Sequence, residues 1–300
     1  MLSNGELEEI QRLQKKAGEL RHMLVDLVDS AGASHIGGPL SACDAVTALF
    51  YHFMNFDKEN ACSEERDRFV LSKGHNGDLL YCVLADLGFY TKEELFREFK
   101  KDGGRWGEHP NRLHDPGFEC STGSLGHGLP IAAGMAMAAK LDHRDSKIFC
   151  LVGDGELQEG SNWESIMCAA KHSYDNLVLI VDKNGAQGTH MVKDLCDDRN
   201  LKDRLDNFGW EVCSVADGND MIQLYEAFSE LPRLREKKKP ICLILHTAKG
   251  KAVQFMEDDP ANCHAGGFKD GKLEKAHVSI DAWLKGELEK SSLLFKSGEV

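Results

Sequence analysis

Two short segments carry the residue types best suited to chemistry. One reads Gly153-Asp154-Gly155-Glu156-Leu157-Gln158-Glu159-Gly160, and the other, thirty residues on, reads Val181-Asp182-Lys183-Asn184-Gly185-Ala186. Carboxylate, amide and carbonyl oxygens are hard ligands that suit Mg²⁺. Glycines let backbone come close to a phosphate. The pair therefore points to a cation–diphosphate site. Asp154, Asn184 and the carbonyl of Ala186 would hold Mg²⁺, and two diphosphate oxygens and a water would complete an octahedron. The helix after Gly155 would aim its N-terminus at the same diphosphate. A bare Gly-Asp-Gly is also a common turn. Its context raises it above that, because apolar runs at 148–152 and 177–181 precede the two segments. Two buried parallel strands would bring both ends to one sheet edge, where open α/β sheets bind ligands.

Histidines form a second set. His35, His75, His109, His127 and His264 all fall in Gly-rich or Pro-flanked stretches. Any one alone is more simply a structural or surface residue. Together at a ligand edge they would donate to phosphate and hydroxyls and move protons near neutral pH. That suits a polar substrate with many hydroxyls lying over a diphosphate. Metal ligation is the competing reading, but no two of them share an i, i+4 helical face. Gly123-Ser124-Leu125-Gly126-His127-Gly128 superficially fits a dinucleotide pattern. Irregular sequence rather than a strand precedes it, so a close backbone approach to a flat ring fits better. Lys249, in Thr247-Ala248-Lys249-Gly250-Lys251, reads equally well as a phosphate ligand or a solvated loop lysine.

Positioning these residues requires a particular set of elements. Periodicity predicts a long amphipathic helix over 6–30 and a second over 42–53 with Ser41 as its cap. Further helices are predicted over 78–87, 127–141, 161–172 and 219–236. Strands are predicted at 69–71, 148–152, 177–181, 210–215 and 241–246. This alternation gives an α/β fold, a parallel sheet with helices on both faces. The long irregular stretch 101–124 is of the kind that is more often functional than idle. Residues 247–272 read as loop, and the polar tail 286–300 is expected to fray. The whole of 1–300 is expected to form one domain.

Composition narrows the function classes. The formal net charge of −13 argues against nucleic acid, which needs basic stripes; its plainest meaning is solubility. Ten cysteines invite a disulfide reading, but no Cys-x-x-Cys pair exists. Cys82, Cys150, Cys168 and Cys242 sit in apolar runs, where a free thiol acts as a small hydrophobe. No basic-then-apolar leader and no span of membrane length is seen, so the expectation is a cytoplasmic protein without membrane contact.

With these motifs in order, the chain resembles the N-terminal half of transketolases over nearly its whole length. The resemblance rests on Ser34-His35-Ile36-Gly37-Gly38-Pro39, on the run from Arg66 to His75, on Gly123 to Gly128, on Gly153 to Gly160, and on Asp182-Lys183-Asn184-Gly185. It is similar above all to the shorter subunit of split, two-chain transketolases, and so implies the thiamine-diphosphate-binding fold. It further implies thiamine diphosphate with Mg²⁺, or Ca²⁺ or Mn²⁺ in its place. Asp154, Asn184 and the Ala186 carbonyl would bind the metal. Gly155, His75 and His264 would contact the diphosphate, with Lys249 in reach of it, while the Leu125 backbone would face the aminopyrimidine ring and Gly123 would join the cofactor-binding set. His35, His109 and His264 would handle the hydroxyls and carbonyl of the sugar. Glu159 would lie at an interface between subunits, near the cofactor. The sequence departs from the family pattern at Asn76-Gly77-Asp78, at Gly188-Thr189-His190 and around His264, where a preceding tryptophan is lacking.

The implied activity is transfer of a two-carbon ketol unit from a ketose, a sugar phosphate or a related sulfonated or non-phosphorylated sugar, to an aldose. Its partner would be a second chain carrying the pyrimidine-binding domain and its glutamate, in a two-plus-two heterotetramer. Alternatives are the α-type subunit of another thiamine enzyme (a 2-oxo-acid dehydrogenase or a deoxyxylulose phosphate synthase-like protein) and a non-catalytic partner subunit.

Overall fold

The computed structural model describes residues 2–113, 117–196 and 199–297. Runs of branched and aromatic residues form its main strands: β1 Arg68–Leu71, β2 Ile148–Gly153, β3 Leu177–Lys183, β4 Glu211–Val215 and β5 Ile241–His246. They pair in the order β1-β2-β3-β5-β4, every pair parallel. Strands buried along their whole length, such as β2, require cover on both faces. The two-residue period supplies it. Phe149, Leu151, Val178, Ile180 and Leu243 face one core, while Ile148, Cys150, Val152, Leu177, Leu179 and Val181 face the other.

The first core is closed by helices α1 Asn4–Ser30, α2 Gly37–Ala48 and α3 Gly77–Asp86. The second is closed by α4 Gly128–Leu141 and α5 Gly160–Lys171. The helix α1 starts with a capping box: Ser3 Oγ accepts from the Glu6 amide, and the Glu6 carboxylate accepts from the Ser3 amide. Two orphan donors of the first turn are thereby satisfied. The expected α/β architecture is thus present, with strand positions within a residue or two of those read from sequence.

Several local expectations are corrected. Ser41 does not cap α2; the helix starts four residues earlier, at Gly37, and Ser41 is buried within it. Its hydroxyl hydrogen-bonds the Gly38 carbonyl and the Asp182 carboxylate. A wider, π-type turn over Leu49–Phe53 continues α2. The helix expected over 219–236 is two, α6 Met221–Ser229 and Leu231–Arg235, the second carrying a proline in its first turn. Proline there lacks only a donor that would be unpaired anyway. Cys168 is exposed, not packed as a hydrophobe.

Of the tail expected to fray, residues 286–297 are helical, and 298–300 lie outside the described residues. The helical part belongs to α7, which runs from Lys272 to Ser297. Its polar residues pair with α1: Ser291, fully buried, donates to Gln14 at 3.0 Å, and the indole of Trp283 lies 4.2 Å under the Arg21 guanidinium. A polar helix face is stable when another helix matches it hydrogen bond for hydrogen bond. Among the described residues no helix is long and apolar enough to cross a membrane.

Candidate functional site

Parallel register fixes the floor of the site. Gly153 ends β2 beside Asp182 of β3, and Asp182 stands beside Leu245 of β5. The chain segments leaving these strands, with those from the loops after β1 and β5, line a cavity of about 470 Å³. It opens at the carboxyl edge of the sheet, where such sheets bind ligands.

Asp154 sits in this floor, 5% exposed. Its carboxylate accepts from the Gly155 amide at 2.9 Å and from the Gly185 amide at 2.7 Å. Burial, then the negative charge of Asp182, pushes its pKa up to about 6. Asn184 accepts from the Ala186 amide at 3.1 Å, and its NH₂ reaches Ser41 and Asp182 at 3.3 Å each. The Asp154 carboxylate and the Asn184 amide therefore lie on adjoining turns, with Ala186 beside them in the cavity lining. Among the described residues no group of three or more His, Cys, Asp and Glu could hold a metal. A cation here would rest on that mixed oxygen set together with ligand phosphate, which is the coordination habit of Mg²⁺.

Beneath the floor lies a feature that sequence reasoning missed. Lys73 and Asp182 are both almost wholly buried, 2.5 Å apart. Ser41 and Thr247 also donate to Asp182. The only signal was a lysine in Ser72-Lys73-Gly74-His75 and the aspartate two residues before Asn184; nothing linear joins positions 109 apart. Beside them Glu156 accepts from Ser72 and from the Gly126 and Gly153 amides. These bonds tie the Gly123–Gly128 turn to the Gly-Asp-Gly turn. Gln158 and Gln187, also unforeseen, pair across the cavity mouth. At Gly155 a Cβ would stand 2.6 Å from that of Gln187, so only glycine fits between the two turns.

The rim is made of histidines. His35 stands 4.9 Å from His264, 5.2 Å from His75 and 6.1 Å from His109, ring centre to ring centre. His75 and His264 are 5.3 Å apart. His35 and His264 are brought together by a two-residue antiparallel pairing of Ser34–His35 with Ala265–Gly266. His109 packs against Gly123, whose φ is +137° and where a Cβ would stand 2.8 Å from the imidazole, leaving no room for a side chain. Burial, then Lys73, drives the His75 pKa down to about 2. Burial, then Lys249, drives that of His264 down to about 4. Both rings are neutral at neutral pH, and the nitrogen without a proton can accept. Lys249 is itself lowered by burial.

Of the residues singled out from sequence, His75, Leu125, Asp154, Gly155, Glu159, Asn184, Ala186, Lys249 and His264 line the cavity. His35 and His109 stand behind that lining in the histidine cluster, and Gly123 lies against His109. His127 starts α4 and does not join the cluster.

A parallel sheet with a cavity at its carboxyl edge, lined by charged, amide and imidazole side chains, defines the class as a ligand-binding α/β domain. Comparison with known proteins makes this specific. Residues 13–280 match the family described as transketolase, thiamine diphosphate binding domain. One of the subunits of the apulose-4-phosphate transketolase of Phocaeicola vulgatus is 39% identical over 83% of this chain and 87% of its own. One of the subunits of a 6-deoxy-6-sulfo-D-fructose transketolase from Clostridium sp. is 35% identical over 82% of this chain and 88% of its own. The transketolase structure from Campylobacter jejuni superposes with a TM-score of 0.82 at 30% identity, over 94% of this chain but 46% of that one. The chain belongs to the transketolase family, of which it contains the thiamine-diphosphate-binding domain.

Proposed function

We propose that this chain is the cofactor-binding subunit of a two-chain transketolase that moves a two-carbon ketol unit from a ketose to an aldose. The observation that carries the reading is the convergence of Asp154, Asn184 and Ala186 under a rim of four histidines, at the edge of one sheet. The residues present fit Mg²⁺–thiamine diphosphate. Among the described residues the buried Asp154 carboxylate has no ion-pair partner of its own, and it lines the cavity together with Gly155, Asn184 and Ala186. Asp154, Asn184 and the Ala186 carbonyl would hold Mg²⁺. His75, Lys249, His264 and the Gly155 backbone would hold the diphosphate. Leu125 would face the pyrimidine ring, and Gly123 would act through His109. When bound, the cofactor supplies the carbon nucleophile and the electron sink for breaking a ketose C–C bond.

The chain's own part is positioning and proton handling. His35, His109 and His264 would grip the sugar hydroxyls and carbonyl, and a neutral imidazole among them would take the hydroxyl proton as the bond breaks. Because relatives carry substrates with phosphate or sulfonate groups in their names, a ketose bearing an anionic tail is the proposed substrate class.

The remaining catalytic group, a glutamate for the pyrimidine ring, would come from a second chain. Two copies of each would assemble in the cytoplasm, with Glu159 near the joint. Ile131, Met137 and Leu141 on α4 and Met167 on α5 are exposed apolar residues and would meet partner chains. The test is native mass spectrometry of the complex purified from its source with thiamine diphosphate and Mg²⁺, followed by a ketol-transfer assay. A two-plus-two complex with two cofactors, and turnover only with both chains, is expected. Full turnover by this chain alone overturns the split-enzyme reading, and pyruvate decarboxylation without ketose cleavage overturns the transketolase reading.

A further inference from the structure

The rim histidine His35 is gripped from behind by a carboxylate that plays no part in the site described above. Glu108, next to His109, brings Oε1 to 2.8 Å from His35 Nδ1. The approach is off the N–H line, so it is a close electrostatic contact rather than a full hydrogen bond, and burial holds the His35 pKa below its ordinary value. The same oxygen accepts from Ser34 and from Lys100, each at 3.3 Å. Lys100 in turn donates to the Ala33 carbonyl at 2.8 Å. Three groups from two loops thus converge on one oxygen. Burial alone would raise Glu108, but His35 and Lys100 pull it below the usual carboxylate range. It is ionised throughout the neutral range.

A second carboxyl lies deeper. Asp78 is wholly buried, and neither of its oxygens has a hydrogen-bond partner among the described residues. Burial pushes it up to about 7, against a lowering pull from Ser34. The Glu108 charge adds to this upward push, since two like charges facing one loop repel.

We propose that Glu108 is a positioning residue for the ketol transfer: its charge keeps a proton on Nδ1 of His35 and leaves Nε2 as the acceptor. When a sugar hydroxyl gives up its proton, the O–H bond breaks and an N–H bond forms at Nε2. The resulting imidazolium is balanced by Glu108 across the ring, the arrangement by which a carboxylate fixes a histidine tautomer. Burial makes protonation of His35 harder, and His109 and Lys100 add to it, while His75 and His264 also face its ring. Glu108 is the single carboxylate among the groups named here that opposes them. The inference rests on the transketolase reading for its catalytic consequence, but not for its electrostatics.

The experiment is Glu108→Gln, which keeps an acceptor for Ser34 and Lys100 and removes only the charge. In the full chain, ¹H–¹⁵N NMR of His35 should show its protonation midpoint falling by about one pH unit and the Nδ1–H tautomer losing population. In the two-chain complex, kcat should fall about tenfold or more, with the acid limb of the kcat/KM profile moving down and thiamine diphosphate affinity within about twofold of wild type. Glu108→Asp should recover part of the midpoint shift and guards against a glutamine variant that fails to fold. An unchanged His35 midpoint and tautomer in Glu108→Gln overturns the proposal. So does a rate loss wholly explained by weaker cofactor binding. Absence of ketol transfer in the wild-type complex would overturn the transketolase reading instead, leaving the NMR result to decide the electrostatic claim.

Discussion

The floor and the rim of this cavity are built on different principles. The floor is set by strands: Asp154 and Asn184 follow β2 and β3 directly, and the sheet register sets their spacing. Underneath, a buried Lys73–Asp182 pair and the Glu156 carboxylate lock the turns. The rim is set by loops. Its histidines come from four separate segments, held by one two-residue strand pair, a glycine contact and the Glu108 carboxylate. A strand-built floor can hold a cofactor with little movement, whereas a loop-built rim can differ between relatives that act on different sugars.

The largest effect separates the two regions by function. His35→Ala should cut kcat of the assembled enzyme by about 10²–10⁴-fold, while calorimetry shows thiamine diphosphate binding nearly unchanged. Loss of cofactor affinity along with rate would mean that rim and floor are one unit. Lys73→Met tests the floor. Both partners are almost fully buried, so leaving Asp182 without its cation should cost about 3–5 kcal/mol in urea unfolding, even with Ser41 and Thr247 still donating. A loss under about 1 kcal/mol would show that the hydroxyls suffice. Asp154→Ala should weaken Mg²⁺-supported cofactor binding about 100-fold or more and leave the His35 NMR signals in place; a displaced rim would break the distinction.

The smallest effect is a pH slope. His75 is held near 2 and His264 near 4, both below the ordinary histidine value. The unfolded chain therefore binds protons that the folded chain refuses. Each group lowers stability as pH falls below about 6.5, through the window down to its folded value. Asp78, raised to about 7, acts in the opposite sense over the same range. His75→Gln should remove a slope approaching about 1.4 kcal/mol per pH unit between about pH 6 and 4. Equal slopes in denaturation curves of variant and wild type would show that His75 is protonated in the folded protein.

What could be read from the sequence follows the same division. Residues 148–152 and 177–181 are apolar and end in glycine–acid or acid–amide turns, so strands, parallel order and the Asp154–Asn184 pair all follow from local pattern. Lys73–Asp182 does not, because the pairing depends on β1 and β3 lying one strand apart in the sheet, which no linear spacing encodes. Glu108 and His35 meet only through the packing of two loops. The Ser41 expectation failed for a local reason: Gly37 and Gly38 already have helical geometry, and Pro39 is tolerated in a first turn. The helical tail was missed because its polar face looks like solvent until α1 is known to cover it.

The pairing of Ser34–His35 with Ala265–Gly266 also bears on how the molecule is made. It joins segments far apart in the chain, and closing so long a loop costs entropy before any contact repays it. Strand pairs of this separation form late in folding. During synthesis from the N-terminus, the sheet and the Asp154 turn can settle while residue 264 is still to be added. The histidine rim is then the last part of the cavity to be assembled, and with only two residues in its ladder it is the first to come apart in local unfolding. Amide exchange at His35 and Ala265 would be faster than at Val181, and a nascent chain would hold its floor before it has a rim.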